Sequence, residues 1–236
     1  MGKRIIQQAR GKGSLTYRVR SKSFRYKLKY LNLEGKAEVV KLLNSPGHSC
    51  PLAKIKIQDK IFYNPACKNL FEGQEIEIGT TNIIPGNITK LKAIPIGIEI
   101  FNIENSPGDG GKLIRAGGLS GIVTKKIKGK VAILLPSKKE KWFNENCRAT
   151  IGVIAGQGRT EKPVIKAGKK YYIKKAKGKL WPRTSAVKVN VIDHPMGSGR
   201  GKNISHGSKG KTPKRNAPRG AKVGSLKPRR TGRRKK

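Results

Sequence analysis

Acidic residues are scarce in this chain. Of 236 residues only 13 are Asp or Glu, against 54 Lys or Arg, for a net charge of +41. A soluble domain at that charge repels itself, so the direct physical reading is a polyanionic partner that neutralises it. Long apolar runs are also missing. Nothing approaches the roughly 18 apolar residues of a spanning helix, and the opening MGKRIIQQARGKG has no apolar core of signal-peptide length. The expectation is a cytoplasmic protein with no membrane partner and with nucleic acid as its polyanion. Cysteine is sparse and scattered, at positions 50, 67 and 147, which excludes a disulfide framework. No CxxC pair occurs, so a zinc knuckle is not expected, and HSC (48–50) reads as ordinary loop rather than as metal ligands. A long amphipathic helical stripe is absent too, which argues against a helical bundle.

What charge there is lies unevenly. Residues 1–33 hold 10 basic and no acidic residues, 34–161 hold 19 basic and 12 acidic, and 162–236 hold 25 basic and one acidic, Asp193. A nearly ordinary middle is flanked by two arms with too few apolar residues to offset chain entropy, and their like charges repel.

The middle reads as short strands. EVVKLL (38–43) is a first strand; AKIKIQDKIFY (53–63) alternates on both sides of Gln58-Asp59, the mark of a half-buried hairpin. QEIEIG (74–79) alternates again, and PIGIEIFNIE (95–104) sets Ile96, Ile98 and Ile100 on one face. GIVTKKIKGKVAILLP (121–136) is a second hairpin turning at Lys128-Gly129, and CRATIGVIAG (147–156) closes the series. Short strands separated by Pro and Gly suit two small barrels better than one parallel sheet. The turn-rich NIIPGNITKLKAIP (82–95) joins them, with a boundary near residue 91. The organisation expected is an N-terminal basic arm (1–34), a barrel (35–90), a second barrel (91–165) and a basic C-terminal extension (166–236).

Several motifs have a chemical and a bland reading. GSKGKT (207–212) ends like a phosphate-binding P-loop but lacks the first glycine, a preceding strand and a following helix. A cationic glycine strip, whose backbone N–H groups approach phosphates, is preferred. NIT (87–89) and NIS (203–205) fit the glycosylation pattern but carry no meaning without a secretory signal. SPGDGGKLIRAGG (106–118) reads as a tight-turn loop entering the second barrel, with Lys112 and Arg115 facing RNA. KYYIKKAKGKLWPR (170–183) interleaves Tyr171, Tyr172 and Trp181 with lysines; the rings either stack on bases or pack the extension onto a barrel. NVIDHPMGSGRGK (190–202) places Asp193 and His194 beside a glycine loop, but no other acid lies within thirty residues to build a hydrolytic site. RNA contact, with Asp193 and Pro195 fixing a turn, is the preferred reading over proton-transfer chemistry.

MGKRI at the start, PGDGGK (107–112), CRATIGVIAGQGR (147–159), EKPVIKAGKKY (161–171), WPR (181–183), DHP with Gly197 and Gly199, KVG (222–224) and RRTGR (229–233) occur in that order. Together they resemble the second universal protein of the large ribosomal subunit, in its archaeal and eukaryotic branch, nearly end to end. The resemblance implies a mostly β chain: an OB-fold barrel, then an SH3-like barrel, with extended basic N- and C-terminal arms. It implies a primary binder of large-subunit ribosomal RNA that supports the peptidyl-transferase region and subunit association, performs no chemistry itself, and has neighbouring ribosomal proteins and the small subunit as further partners. The loop near the peptidyl-transferase region maps onto Asp193, His194, Pro195, Gly197 and Gly199, with Trp181, Pro182 and Arg183 leading in. The chain departs from the family pattern at Ser185, Ala186, Val189, Met196 and Ser198.

The residues expected to touch RNA are Arg10, Lys12, Arg18, Arg20, Arg25, Lys112, Arg115, Trp181, Arg183, Asn190, His194, Gly197, Gly199, Arg200, Lys202, Arg219, Arg229, Arg230, Arg233 and Arg234. No catalytic or metal-binding residue and no cofactor is expected, and magnesium ions at the RNA interface are left open. Two rivals stand beside this reading: a general DNA-compacting or RNA-chaperone basic protein, and an RNA-processing enzyme using His194.

Overall fold

The structure is a computed structural model and describes residues 3–194 and 197. The chain divides into two compact units, Arg20–Lys177 and the pairing of Met1–Val19 with Gly178–Lys236. No helix among the described residues is long and apolar enough to cross a membrane.

The unit Arg20–Lys177 is built from ten strands: β1 (Gly35–Leu43), β2 (Leu52–Ile57), β3 (Lys60–Pro65), β4 (Glu75–Ile78), β5 (Ile88–Lys90), β6 (Glu99–Phe101), β7 (Gly121–Ile127), β8 (Lys130–Leu134), β9 (Glu140–Asn144) and β10 (Arg148–Ile151). Their order in the sheet is β3-β2-β1-β4-β5-β10-β6-β7-β8-β9. The period-two pattern does what it predicts: in β1, Ala37 and Val39 point inward while Glu38 and Val40 stay exposed. The β2–β3 hairpin turns at Gln58, held at φ 50°, and the β7–β8 hairpin at Gly129, at φ 81°, as the left-handed geometry of tight hairpins requires. Register shifts at Val39/Lys41 in β1 and Val123/Lys125 in β7 add the local twist that lets short sheets curl into barrels.

Two cores result. Val39, Ile55, Ile57, Phe62, Ile76, Ile78 and Ile88 fill the first. Leu91, Ile94, Ile100, Val123, Val131, Ile133, Phe143 and Ile151 fill the second. They are the interiors of an OB-fold barrel and an SH3-like barrel in a mostly β chain. A third cluster of Leu28, Cys50, Leu52, Cys67, Phe101 and Ile154 lies between them. The sheet runs on through the seam, because β5 pairs in parallel with β4 at Ile78–Ile88 and antiparallel with β10.

The structure departs from the sequence expectation in four places. β5 and β9 were not anticipated: β5 is three residues long, and β9 sends only Phe143 into the core, so neither shows a period. PIGIEIFNIE contributes a strand only at Glu99–Phe101, with Ile96 left 60% exposed. Residues 26–33, read as the end of an arm, run inside the folded unit, where Leu28 and Tyr30 are buried. The C-terminal extension opens with a helix, not an extended strip. This helix, α2 (Ala167–Ala176), follows α1 (Ile6–Gly11) in chain order. It buries no residue, so it rests on the helix propensity of its alanines and lysines rather than on an apolar stripe.

In the other unit, the Lys3 N–H donates to the Ile192 carbonyl at 2.8 Å, and Ile5 is buried. The N-terminal segment is thereby tied to the segment around Ile192.

Phe101 is fully buried in the cluster that joins the barrels. Truncation to Ala removes the ring and leaves a cavity, at a cost of about 3–5 kcal/mol. Urea unfolding of the Phe101→Ala chain is expected to show that loss.

Candidate nucleic-acid interface

The seam between the barrels carries a polar network. Tyr30 donates from its hydroxyl to the Asn102 carbonyl (2.8 Å) and meets Thr150 Oγ1 at 2.7 Å. Asn64 Nδ2 donates to Thr150 Oγ1 (3.0 Å), and Asn102 Nδ2 to Asn64 Oδ1 (2.7 Å). All four side chains are buried, and burial pushes the Tyr30 phenol above its ordinary range. Every group is paired, which is what makes a buried polar network stabilising rather than costly.

Beside it lies the carboxylate of Glu104, with no solvent exposure. Arg148 donates to it from Nη2 at 2.9 Å and from its backbone N–H at 2.8 Å. The same guanidinium donates to the Leu31 carbonyl (2.6 Å) and to Asn32 Oδ1 (3.1 Å), and stands 5.4 Å from the Tyr30 ring centre. Glu104 also accepts from the N–H groups of Gly110 (3.0 Å) and Gly108 (3.3 Å). One ion pair thus ties together the 30–32 segment, β10 and the glycine loop.

The loop 105–111 is wound around Asp109. Its carboxylate accepts from the N–H groups of Asn105, Ser106 and Gly111 at 3.1, 3.2 and 3.1 Å, and Lys112 Nζ lies 3.2 Å away. Burial disfavours this carboxylate, but the Ser106 N–H, the Lys112 ammonium and the other loop N–H groups outweigh that and hold it below its ordinary value of 3.8. Gly111 has φ +81°, and a Cβ there would stand 2.6 Å from the Asn102 carbonyl oxygen, so only glycine fits. Arg115 closes the arrangement from within. Its Nε donates to Asn102 Oδ1 (2.7 Å), and Nη2 bonds the carbonyls of Leu28 (3.1 Å), Gly110 and Gly111. Expected to face RNA, Arg115, which is half-buried, directs its guanidinium to protein oxygens, because the carbonyls of Leu28, Gly110 and Gly111 converge on it. Lys112 remains 62% exposed at the loop surface.

The other expected contacts divide clearly. Lys12, Arg18, Arg20, Arg25, Arg183 and Asn190 are exposed; Arg10, Trp181, His194 and Gly197 are half-buried. Arg18 Nε donates to the Gly13 carbonyl at 2.9 Å. Around the acid–histidine pair, Asn190 supplies the turn: its carbonyl accepts from the N–H groups of Asp193 (3.0 Å) and His194 (3.2 Å), and Gly197 donates to the His194 carbonyl (2.8 Å). A Cβ at Gly197 would meet the Val189 carbonyl oxygen at 2.3 Å, so the loop closes only with glycine. Asp193 lies 4.0 Å from Lys3 Nζ, both exposed, and burial draws the His194 imidazole below its ordinary value. Gly199, Arg200, Lys202, Arg219, Arg229, Arg230, Arg233 and Arg234 lie outside the described residues, as does GSKGKT.

At the HSC triplet, His48 Nδ1 meets Ser45 Oγ at 2.8 Å and the Phe24 ring packs on the imidazole edge at 4.9 Å. Burial pushes the Cys50 thiol up to about 11. The network residues Tyr30, Asn64, Asn102, Glu104 and Thr150 escaped the sequence reading. A signal was present: Asn102 and Glu104 continue the inward register of Ile100, and Asn64 that of Phe62.

A small, basic, two-barrel body is one whose charge calls for a polyanionic partner, and comparison with known proteins gives its family. The family described as Ribosomal Proteins L2, C-terminal domain, matches residues 84–220. The large ribosomal subunit protein uL2 of Archaeoglobus fulgidus is 46% identical over 237 residues, covering 98% of this chain and 99% of that protein. Those of Methanothrix thermoacetophila and Methanothermobacter thermautotrophicus are 44% and 43% identical, over 99% and 100% of this chain. The chain belongs to the ribosomal protein L2 family.

Two expectations follow from the seam. Glu104→Gln leaves the Arg148 guanidinium buried without its counter-charge and is expected to cost about 3–5 kcal/mol, whereas Glu75→Gln, which breaks a 3.9 Å pair with Lys36 between side chains 72% and 75% exposed, should fall within about 1 kcal/mol; chemical denaturation compares them. The depressed Asp109 gives stability that is present above the unfolded carboxylate value and lost as pH falls through the folded one. Acid unfolding curves of Asp109→Asn should therefore be flatter than wild type below the ordinary carboxylate value.

Proposed function

We propose that this chain is a structural constituent of the large ribosomal subunit, that it binds the subunit's RNA directly, and that its Asp193–His194 turn lies near the peptidyl-transferase region. The observation that carries this is where the few acids go. Glu104 is fully buried and Asp109 nearly so, while Glu34, Glu75 and Glu140 sit within 4 Å of lysines. Other acids, such as Glu38, Asp59 and Glu72, stay exposed, but with 54 Lys or Arg against 13 Asp or Glu in the chain the surface charge is predominantly cationic, which suits a phosphate backbone. The setting is the cytoplasmic ribosome.

The barrels present a shaped basic surface that sets orientation. The arms neutralise phosphates that would repel one another as RNA helices pack. Recognition is of backbone, shape and 2′-hydroxyls. His194 acts as a contact: its turn is made from backbone bonds, and Asp193 lies beside Lys3. The chain performs no chemistry, and its role in subunit association is that of a scaffold.

Sedimentation of a cell lysate through a high-salt sucrose gradient tests the reading. Counterion competition strips loosely held basic proteins. The protein is expected to stay with the large subunit; release to the top of the gradient would overturn integral membership. Competition between duplex DNA and ribosomal RNA for the purified chain then separates RNA binding from general polyanion binding.

A further inference from the structure

Arg20–Lys177 contains an open groove, about 490 Å³ in volume, between the 3-10 turn Ser21–Phe24 and helix α2. Arg20, Ser21, Lys22, Ser23 and Pro46 line one side; Tyr172, Lys175 and Ala176 line the other. Three of these side chains are cations and none is an acid. Arg20 and Lys22 make no ion pair among the described residues. One wall is anchored: the buried Ser23 carbonyl accepts from Gly47 N–H (2.8 Å) and Ser45 Oγ (3.2 Å). On the opposite wall Tyr172 is 66% exposed, and its ring is braced edge-on by Tyr171 at 5.4 Å. Lys175 Nζ in turn lies 5.2 Å from the Tyr171 ring centre. An exposed, fixed aromatic facing a cationic ledge has the two parts a nucleotide needs, a stacking plane and a phosphate clamp. The volume falls in the range of small-ligand clefts, roughly 300–1,000 Å³.

We infer that this groove holds one unpaired RNA nucleotide, its base stacked on Tyr172 and its phosphate held by Arg20, Lys22 and Lys175. The inference rests on the RNA-binding reading and adds a single-stranded element to it. Backbone contacts alone would leave Tyr172 unused. A duplex would not enter, because its bases are already stacked on one another.

The probe is a short single-stranded oligouridine carrying 4-thiouridine, titrated against the full chain by fluorescence anisotropy and then photo-cross-linked. The cross-linked peptide is expected to contain Tyr172. Tyr172→Ala should weaken binding roughly tenfold, and Tyr172→Phe should restore it, since stacking needs only the ring. Replacing Arg20, Lys22 and Lys175 with Gln should lower the slope of log affinity against log salt by about 0.7 for each phosphate no longer neutralised. Tyr172 lies on the surface of a helix that buries nothing, so circular dichroism should show every variant folded. If wild type binds but Tyr172→Ala binds equally, or cross-links form only elsewhere, the groove assignment falls and general RNA binding stands. If wild type fails to bind any RNA, both fall.

Discussion

The Glu104 carboxylate is the point on which the folded body turns. A carboxylate removed from water is costly unless paired and fully hydrogen-bonded, and Glu104 is both: Arg148 neutralises it, and glycine N–H groups take its remaining lone pairs. Arg148 then reaches past it to the Leu31 carbonyl, so a segment far away in sequence is held against the second barrel. Tyr30, Asn64, Asn102 and Thr150 continue the same seam in neutral hydrogen bonds. A purely apolar interface would let two small barrels slide; directional bonds to named partners specify one arrangement.

This arrangement has a consequence for surface charge. Most of the chain's few acids stay at the surface, several of them beside lysines. Here the two most thoroughly bound acids work inside, one as the keystone of the seam and the other as the hub of the 105–111 loop. Arg115 goes inward as well, since loop carbonyls need donors. One arginine is thereby turned from the surface toward protein oxygens, while the exposed charge stays predominantly positive. The nucleotide groove follows the same logic, with cations from the 20–22 turn meeting an aromatic ledge from α2.

Legibility tracked the kind of interaction involved. Burial in β1 to β4 and the β7–β8 hairpin could be read because apolar residues at every second position are a local signal. β5 and β9 could not, being short strands recruited by pairing. Helix α2 was hidden because it has no buried face to write a stripe into the sequence. At the site, exposure of Lys12, Arg18, Arg20 and Arg25 followed from their composition; the turn at Asp193–His194, expected from Asp193 and Pro195, is held in the described residues by the Asn190 carbonyl.

By itself the sequence determined the mostly β character, the two barrels and the family, because period-two burial and long collinear motifs are properties of the chain read in order. Only the tertiary structure decided which charges face outward. Arg115 and Lys112 sit three residues apart in one motif, yet Arg115 lies beneath the loop, bonding Leu28 and Asn102, while Lys112 stays at the surface. Nothing in the motif separates them, because the partners that draw Arg115 inward come from elsewhere in the chain and meet it only when the barrels close on the 28–33 segment.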